Sequence, residues 1–239
     1  MPPPPRVAPA RPPSARHAAN TRDGLVVVLA VTSGATDAIG FLALGAAFTS
    51  VMTGNMVLLG IGTAQGDLTA LTLCLTAIAS FVLGAATGAR VAGTHQEGDP
   101  CWPRPITHAL MIEIALFAAF ATAWWLLDSD PPKDWWLPLL AVNAAALGLQ
   151  SSAVQRFGVS GLSTTYLTGT LTTVVIRLTS GKRLAEVQHS LWILCGLVAG
   201  AAGGALLVEH APVAVPAIQL VTTLAVLAVA LAPRSAINR

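Results

Sequence analysis

Six stretches of this chain, at about 24–45, 68–90, 106–127, 135–155, 186–208 and 213–232, are apolar enough and long enough to cross a lipid bilayer. A helical span needs about 20 such residues. Lipid offers no hydrogen-bond partners to a backbone, so only helices or closed barrels can occupy it. Apolar runs of this length without two-residue alternation specify helices. Only 10% of the 239 residues are charged, too few to keep a soluble domain of this apolarity in solution. The expected fold class is therefore all-α, a polytopic membrane helix bundle, in one membrane domain over residues 24–232.

The ends read differently. Residues 1–23 hold Pro2 to Pro5, Pro9, Pro12 and Pro13 with Arg6, Arg11, Arg16 and Arg22. Such a segment cannot form a core and is expected to be disordered, with its arginines holding it in the cytoplasm. It does not read as a cleaved leader, because the apolar run that follows contains Asp37. Residues 233–239 read as a short cytoplasmic tail. Cys74, Cys101 and Cys195 form no C-x-x-C pair, so no metal site, disulfide framework or cofactor is expected.

Two polar segments break the apolar pattern. They are Phe48-Thr49-Ser50-Val51-Met52-Thr53-Gly54-Asn55 and Ser163-Thr164-Thr165-Tyr166-Leu167-Thr168-Gly169-Thr170, which superimpose at a shift of 115. A second pair, 82–89 and 198–205, matches at six of eight positions at a shift of 116. The near-constant shift predicts an internal duplication, with repeat 1 over about 24–127 and repeat 2 over about 135–232.

Charge decides whether the polar segments span. If neither does, twelve of the thirteen Lys and Arg residues fall on one side, and only Lys133 falls on the other. If both do, Arg90, Arg104 and Arg156 change sides. Because Lys and Arg collect on the cytoplasmic side, six spans with two re-entrant helices fit better than the alternative of eight spans. Both termini are then cytoplasmic. Trp124, Trp125, Trp135 and Trp136 would form an outer interfacial belt, with Trp102 and Trp192 near the inner surface. Three spans per repeat make the two repeats inverted, and the two polar tips then approach each other at mid-membrane.

Several residues could carry chemistry. Asp37 lies about 18 Å into the first span, where a carboxylate costs ~2.5–3.5 kcal/mol and by default faces protein or water. It reads as a proton- or cation-binding group, or else as a tie between helices. Glu113 is about 10 Å into the third span, near His108, and reads equally as a site residue or a snorkelling side chain. Thr53 and Thr168 would cap the two short helices, while Gly54 and Gly169 would allow close backbone approach. Asn55 adds polar groups in the first copy, where Thr170 stands in the second. Together these residues outline a midplane site for an ion or small metabolite. The stripes Gly84-x-x-x-Gly88 and Gly196-x-x-x-Gly200-x-x-x-Gly204 are expected to cross each other at the pseudo-symmetry axis, with homo-oligomerisation as the rival use.

The Ser33-to-Phe41 stretch with its Asp37, followed by the Thr53-Gly54-Asn55 segment, resembles the signature of the YoaK family of bacterial inner-membrane proteins, grouped as a domain of unknown function. The resemblance covers about residues 24–232. It implies a membrane location and about six spans, and marks Asp37, Thr53, Gly54 and Asn55 as motif residues. It implies no substrate.

Three function classes follow. A small secondary transporter or channel is the first, with lipid and an ion or small-molecule substrate as its partners and no role for nucleic acid. A non-transporting membrane scaffold or accessory subunit is the second. The third is an intramembrane hydrolase, because Gly158-Val159-Ser160-Gly161 matches the G-x-S-G of rhomboid proteases. A serine nucleophile needs a base within hydrogen-bond reach, and neither His189 nor His210 has that family's surrounding pattern, so no enzyme is expected.

Overall fold

The computed structural model describes residues 13–96, 98–158, 167–181 and 183–232. Eight α-helices run through them: α1 Pro13–Ala43, α2 Met52–Gln65, α3 Leu68–Ala92, α4 Arg104–Leu126, α5 Lys133–Gln155, α6 Leu167–Thr179, α7 Leu184–His210 and α8 Val215–Leu231. Six are long and apolar enough to span a membrane. The other two, α2 with 14 residues and α6 with 13, are only about 20 Å long against a ~30 Å hydrocarbon core. Among the described residues the fold is an all-helical polytopic bundle.

Two core clusters fix the helix directions. One gathers Leu25, Leu29, Ala92, Ile106, Leu110, Val154, Phe157 and Val226, and the other gathers Ile39, Leu44, Leu73, Phe120, Trp124, Leu140 and Val215. Each long helix except α7 places buried residues in both clusters or at one recognisable end of them, and α7 joins them through Ile193 and Leu207. Read along the chain, α1, α4 and α7 therefore run one way, and α3, α5 and α8 run the other. The short helix α2 starts beside Asp37, about 9 Å inward of the α1 terminus, and ends in a two-residue turn at the same end of the bundle.

The halves interlock through their glycines. A Cβ added to Gly34 would strike the Leu197 carbonyl of α7, and one on Gly148 would strike the Phe81 carbonyl of α3. Likewise Gly84 meets Ala145 and Gly200 meets Val31, while Gly88 would stand 2.6 Å from Leu149 O and Gly204 2.7 Å from Ala35 O. These pairs map onto each other under shifts of 114 for α1 to α5 and 116 for α3 to α7. The duplication thus appears in three dimensions as a pseudo-two-fold exchange, with the third helix of each repeat seated on the first helix of the other. Contrary to the expectation that the two glycine stripes cross each other at the pseudo-symmetry axis, Gly84 and Gly88 face α5 while Gly200 and Gly204 face α1. Backbone-to-backbone contact at the foreign first helix already fills both faces.

Other expectations are corrected locally. Residues 13–23 are helical, extending α1 by about three turns beyond the start expected at Gly24. After Pro13, the run from Ser14 to Asn20 is rich in good helix formers. There Ala18 is buried, and Arg22 pairs with Asp23 while lying 5.7 Å over the Phe157 ring. Trp124 and Trp102 are core aromatics rather than belt residues, each nearly fully buried. Trp125 and Trp135 remain exposed at the helix ends, and Trp192 is exposed more than two turns into α7. The indole N–H groups of Trp124 and Trp125 donate to Pro212 O at 2.9 Å and Val213 O at 2.8 Å, tying α4 to the turn before α8.

Outside the spans, Arg156 closes the opposite end by donating to Ala92 O and, at 3.1 Å, to Asp99. The Gln96 backbone N–H, and then Arg156, hold the Asp99 carboxyl below its usual range. A depressed folded pKa means that this contribution is present above pH 3.8 and is lost only as pH falls below it.

Sidedness is directly testable. With Cys74, Cys101 and Cys195 removed, and on the orientation expected from the distribution of Lys and Arg, a cysteine at Gln65 should react with an impermeant thiol reagent on intact cells. One at Gly181, between α6 and α7, should react only once the cytoplasm is opened. Labelling of both positions from the same side would contradict the antiparallel arrangement of the halves.

Candidate functional site

The polar segment after α1 is organised by two side chains. Asp37 Oδ1 accepts from Thr49 N at 2.7 Å, Thr49 Oγ1 at 3.0 Å and Ser50 N at 2.7 Å, and its Oδ2 accepts from Ser50 Oγ at 2.5 Å. Asn55 Oδ1 accepts from Phe48 N at 2.9 Å while Asn55 Nδ2 donates to Phe48 O at 2.7 Å. A loop that leaves a helix inside an apolar bundle frees backbone groups that lipid cannot satisfy. Asp37 and Asn55 supply partners for three consecutive N–H groups and one carbonyl. Asp37, Thr49, Ser50 and Asn55 are all buried.

The remaining tip residues act differently from the capping expectation. Val51 is the N-cap of α2 and makes no side-chain cap, while Thr53 is exposed within the first turn. Its hydroxyl cannot reach the free N–H groups because it lies inside the helix rather than before it. Gly54 accommodates a side chain, not a backbone, since a Cβ there would stand 3.1 Å from the Phe48 ring. In the second copy Thr168 and Gly169 are exposed, and nothing described lies within 4 Å of a Cβ placed on Gly169. Thr170 is buried. Ser160, Ser163, Thr164 and Thr165 lie outside the described residues, as do Lys182 and residues 1–12 and 233–239.

Between the two core clusters lies a polar centre that sequence reasoning did not single out. Gln150 of α5 donates to Ser33 Oγ at 2.9 Å and to Leu29 O at 3.3 Å. Gln219 of α8 donates to Thr36 Oγ1 at 3.0 Å and to Asn143 Oδ1 at 3.1 Å, and Thr36 Oγ1 donates to Thr32 O at 2.8 Å. All of these side chains are essentially inaccessible. The first and fifth helices, which are repeat equivalents, are thus bridged to each other and to α8 by neutral amides and hydroxyls. The signal available in the sequence was two amides seven residues apart in the fifth helix, Asn143 and Gln150, and one in the eighth, Gln219, which membrane interiors tolerate only with partners.

Glu113 is fully buried on α4, and neither carboxylate oxygen has a hydrogen-bond partner among the described residues. It does not snorkel, and His108 is exposed on another face of the same helix. Asp37 and Glu113 are therefore opposite cases, one carboxylate saturated with donors and the other with none.

A family model described as "Protein of unknown function (DUF1275)" matches residues 25–231, nearly the whole membrane domain. The chain belongs to the DUF1275 family. It is similar to the "UPF0700 transmembrane protein YoaK" of Bacillus subtilis (strain 168), with 32% identity over 158 residues, covering 66% of this chain and 68% of the relative. No solved structure matches. Membership and the six apolar helices make this a multi-pass membrane protein of a family whose activity is unknown. Asp37 and the Asn55 segment, which carried the resemblance, are here the residues that satisfy the loop between α1 and α2.

Proposed function

We propose that this protein is a small secondary transporter or channel whose inverted halves move about the buried polar centre. The observation that carries the reading is that centre itself: Gln150 with Ser33, and Gln219 with Thr36 and Asn143, where the halves meet. Polar groups inside a membrane bundle are costly and mark substrate and ion pathways by default. Inverted repeats with a half-length helix in each half are the recurring framework of such transporters, with the substrate bound near the midplane. On this reading α2 enters the bilayer from outside and α6 from the cytoplasm, with both termini inside, as the distribution of Lys and Arg favours. Clefts of about 590 Å³ beside Asp23 and His189 and about 560 Å³ beside Asp128 and Trp136 would be the two entrances.

One observation favours the second reading, a non-transporting scaffold: Asp37 places both oxygens on its own loop. A flux panel separates the two. Proteoliposomes holding the full chain should exchange at least one member of a broad set of ions and metabolites. The double variant Asn143→Leu, Gln219→Leu should remove that flux while staying monodisperse. Absence of any flux from folded, correctly inserted protein would leave the scaffold reading in possession.

A further inference from the structure

Glu113 lies nine residues from the start of α4 and thirteen from its end, or about 14 and 20 Å along the axis. One turn further along the same face, Phe117 packs against Ala146 and Leu147 of α5 and Leu220 of α8. Both helices run antiparallel to α4. The turn that leads back from Phe117 to Glu113 therefore leads from Leu147 to Gln150 and from Leu220 to Thr223. Glu113 sits at the level of the polar centre. The Thr223 hydroxyl is also fully buried with no hydrogen-bond partner among the described residues.

An ionised carboxylate needs a compensating charge in so dry a place. The helices packed on α4 are α5, α8 and α3. Their ionisable groups are Lys133 and Asp134 at the start of α5, Cys74 and Arg90 towards the ends of α3, and none on α8. On α4 itself there are Arg104 and the exposed His108. Among the described residues no cationic side chain stands level with Glu113. Divalent cations want six or more oxygens and usually several carboxylates. The described residues contain no group of three His, Cys, Asp or Glu that could hold a metal.

A neutral carboxylic acid meets every one of these conditions, because it carries one donor and keeps its acceptors. We propose that Glu113 is the proton-carrying group of the centre, with the Thr223 hydroxyl as its hydrogen-bond partner, so that the coupling ion is H⁺. The role in transport rests on the reading above, whereas proton binding is measurable without it.

The experiment is infrared difference spectroscopy on the full chain in lipid, stepping pH in H₂O and in D₂O. A protonated-acid carbonyl band should be present, shift on deuteration, vanish in Glu113→Gln, and move to higher frequency in Thr223→Val. Sodium or potassium chloride at fixed pH should leave it in place. A spectrum in which Glu113→Gln removes no acid band overturns the proposal, and so does a band that either salt abolishes. An acid band from Glu113 in a protein that moves no solute keeps the proton site and removes transport. Flux without that band does the reverse.

Discussion

Asp37→Ala should fail to give a monodisperse protein, whereas Asp37→Asn should fold and melt close to the parent. The asymmetry follows from how the four hydrogen bonds divide. Oδ1 takes three of them, from Thr49 N, Thr49 Oγ1 and Ser50 N, and an asparagine oxygen at the same place can accept all three. Only the Ser50 hydroxyl uses Oδ2, and it can rotate to accept from an asparagine N–H instead. Alanine removes every acceptor and strands two buried backbone N–H groups at about 1–3 kcal/mol each, hence about 2–6 kcal/mol. That is a large fraction of the stability of an ordinary domain. The check is size-exclusion recovery and the thermal midpoint in detergent, measured for both variants side by side. Equal damage from the two would mean that the negative charge, and not the acceptor geometry, holds the loop. If Asp37→Asn folds but loses activity, the carboxylate has a chemical role beyond the loop.

The same residue shows how far the sequence could be read. An acid and a Thr-Gly-Asn segment inside apolar runs stood out, because hydrocarbon makes each of them costly. What the spacing of 12 residues between Asp37 and Thr49 could not show is that the chain turns back on itself. The carboxylate is thereby occupied with donors from its own loop. The six long helices and the duplication were legible for a similar reason, since apolar length and a repeated shift are properties of the chain itself. Partner choice was not. Gly84 and Gly88 announce a close approach to some helix, and only the exchange of helices between halves makes that helix α5. Asn143 and Gln150 share a run two helical turns apart and Gln219 is the amide of another, but a neutral amide in an apolar span does not name its partners. Their meaning appears only once α1, α5 and α8 meet.

The interlock of the halves predicts that Gly34→Val and Gly148→Val will be equally destructive. In each, the new side chain meets the backbone of the opposing helix, at Leu197 O and Ala201 N in one case and at Phe81 O and Ala85 N in the other. Overpacking against mobile side chains typically costs about 1–3 kcal/mol. A helix backbone cannot rotate aside, so the expected loss is at the top of that range or beyond, enough to part α1 from α7 or α3 from α5. Membrane helices have little hydrophobic force holding them together, and close small-residue contact is what they depend on. Gly60→Ala is the contrast. Nothing lies within 4 Å of its added methyl, and a helical Gly→Ala change should help by up to about 1 kcal/mol. Thermal midpoints of the three variants in one detergent decide the matter. A tolerated valine at either Gly34 or Gly148, with the other lethal to folding, would show that the two interfaces are not mechanical equivalents.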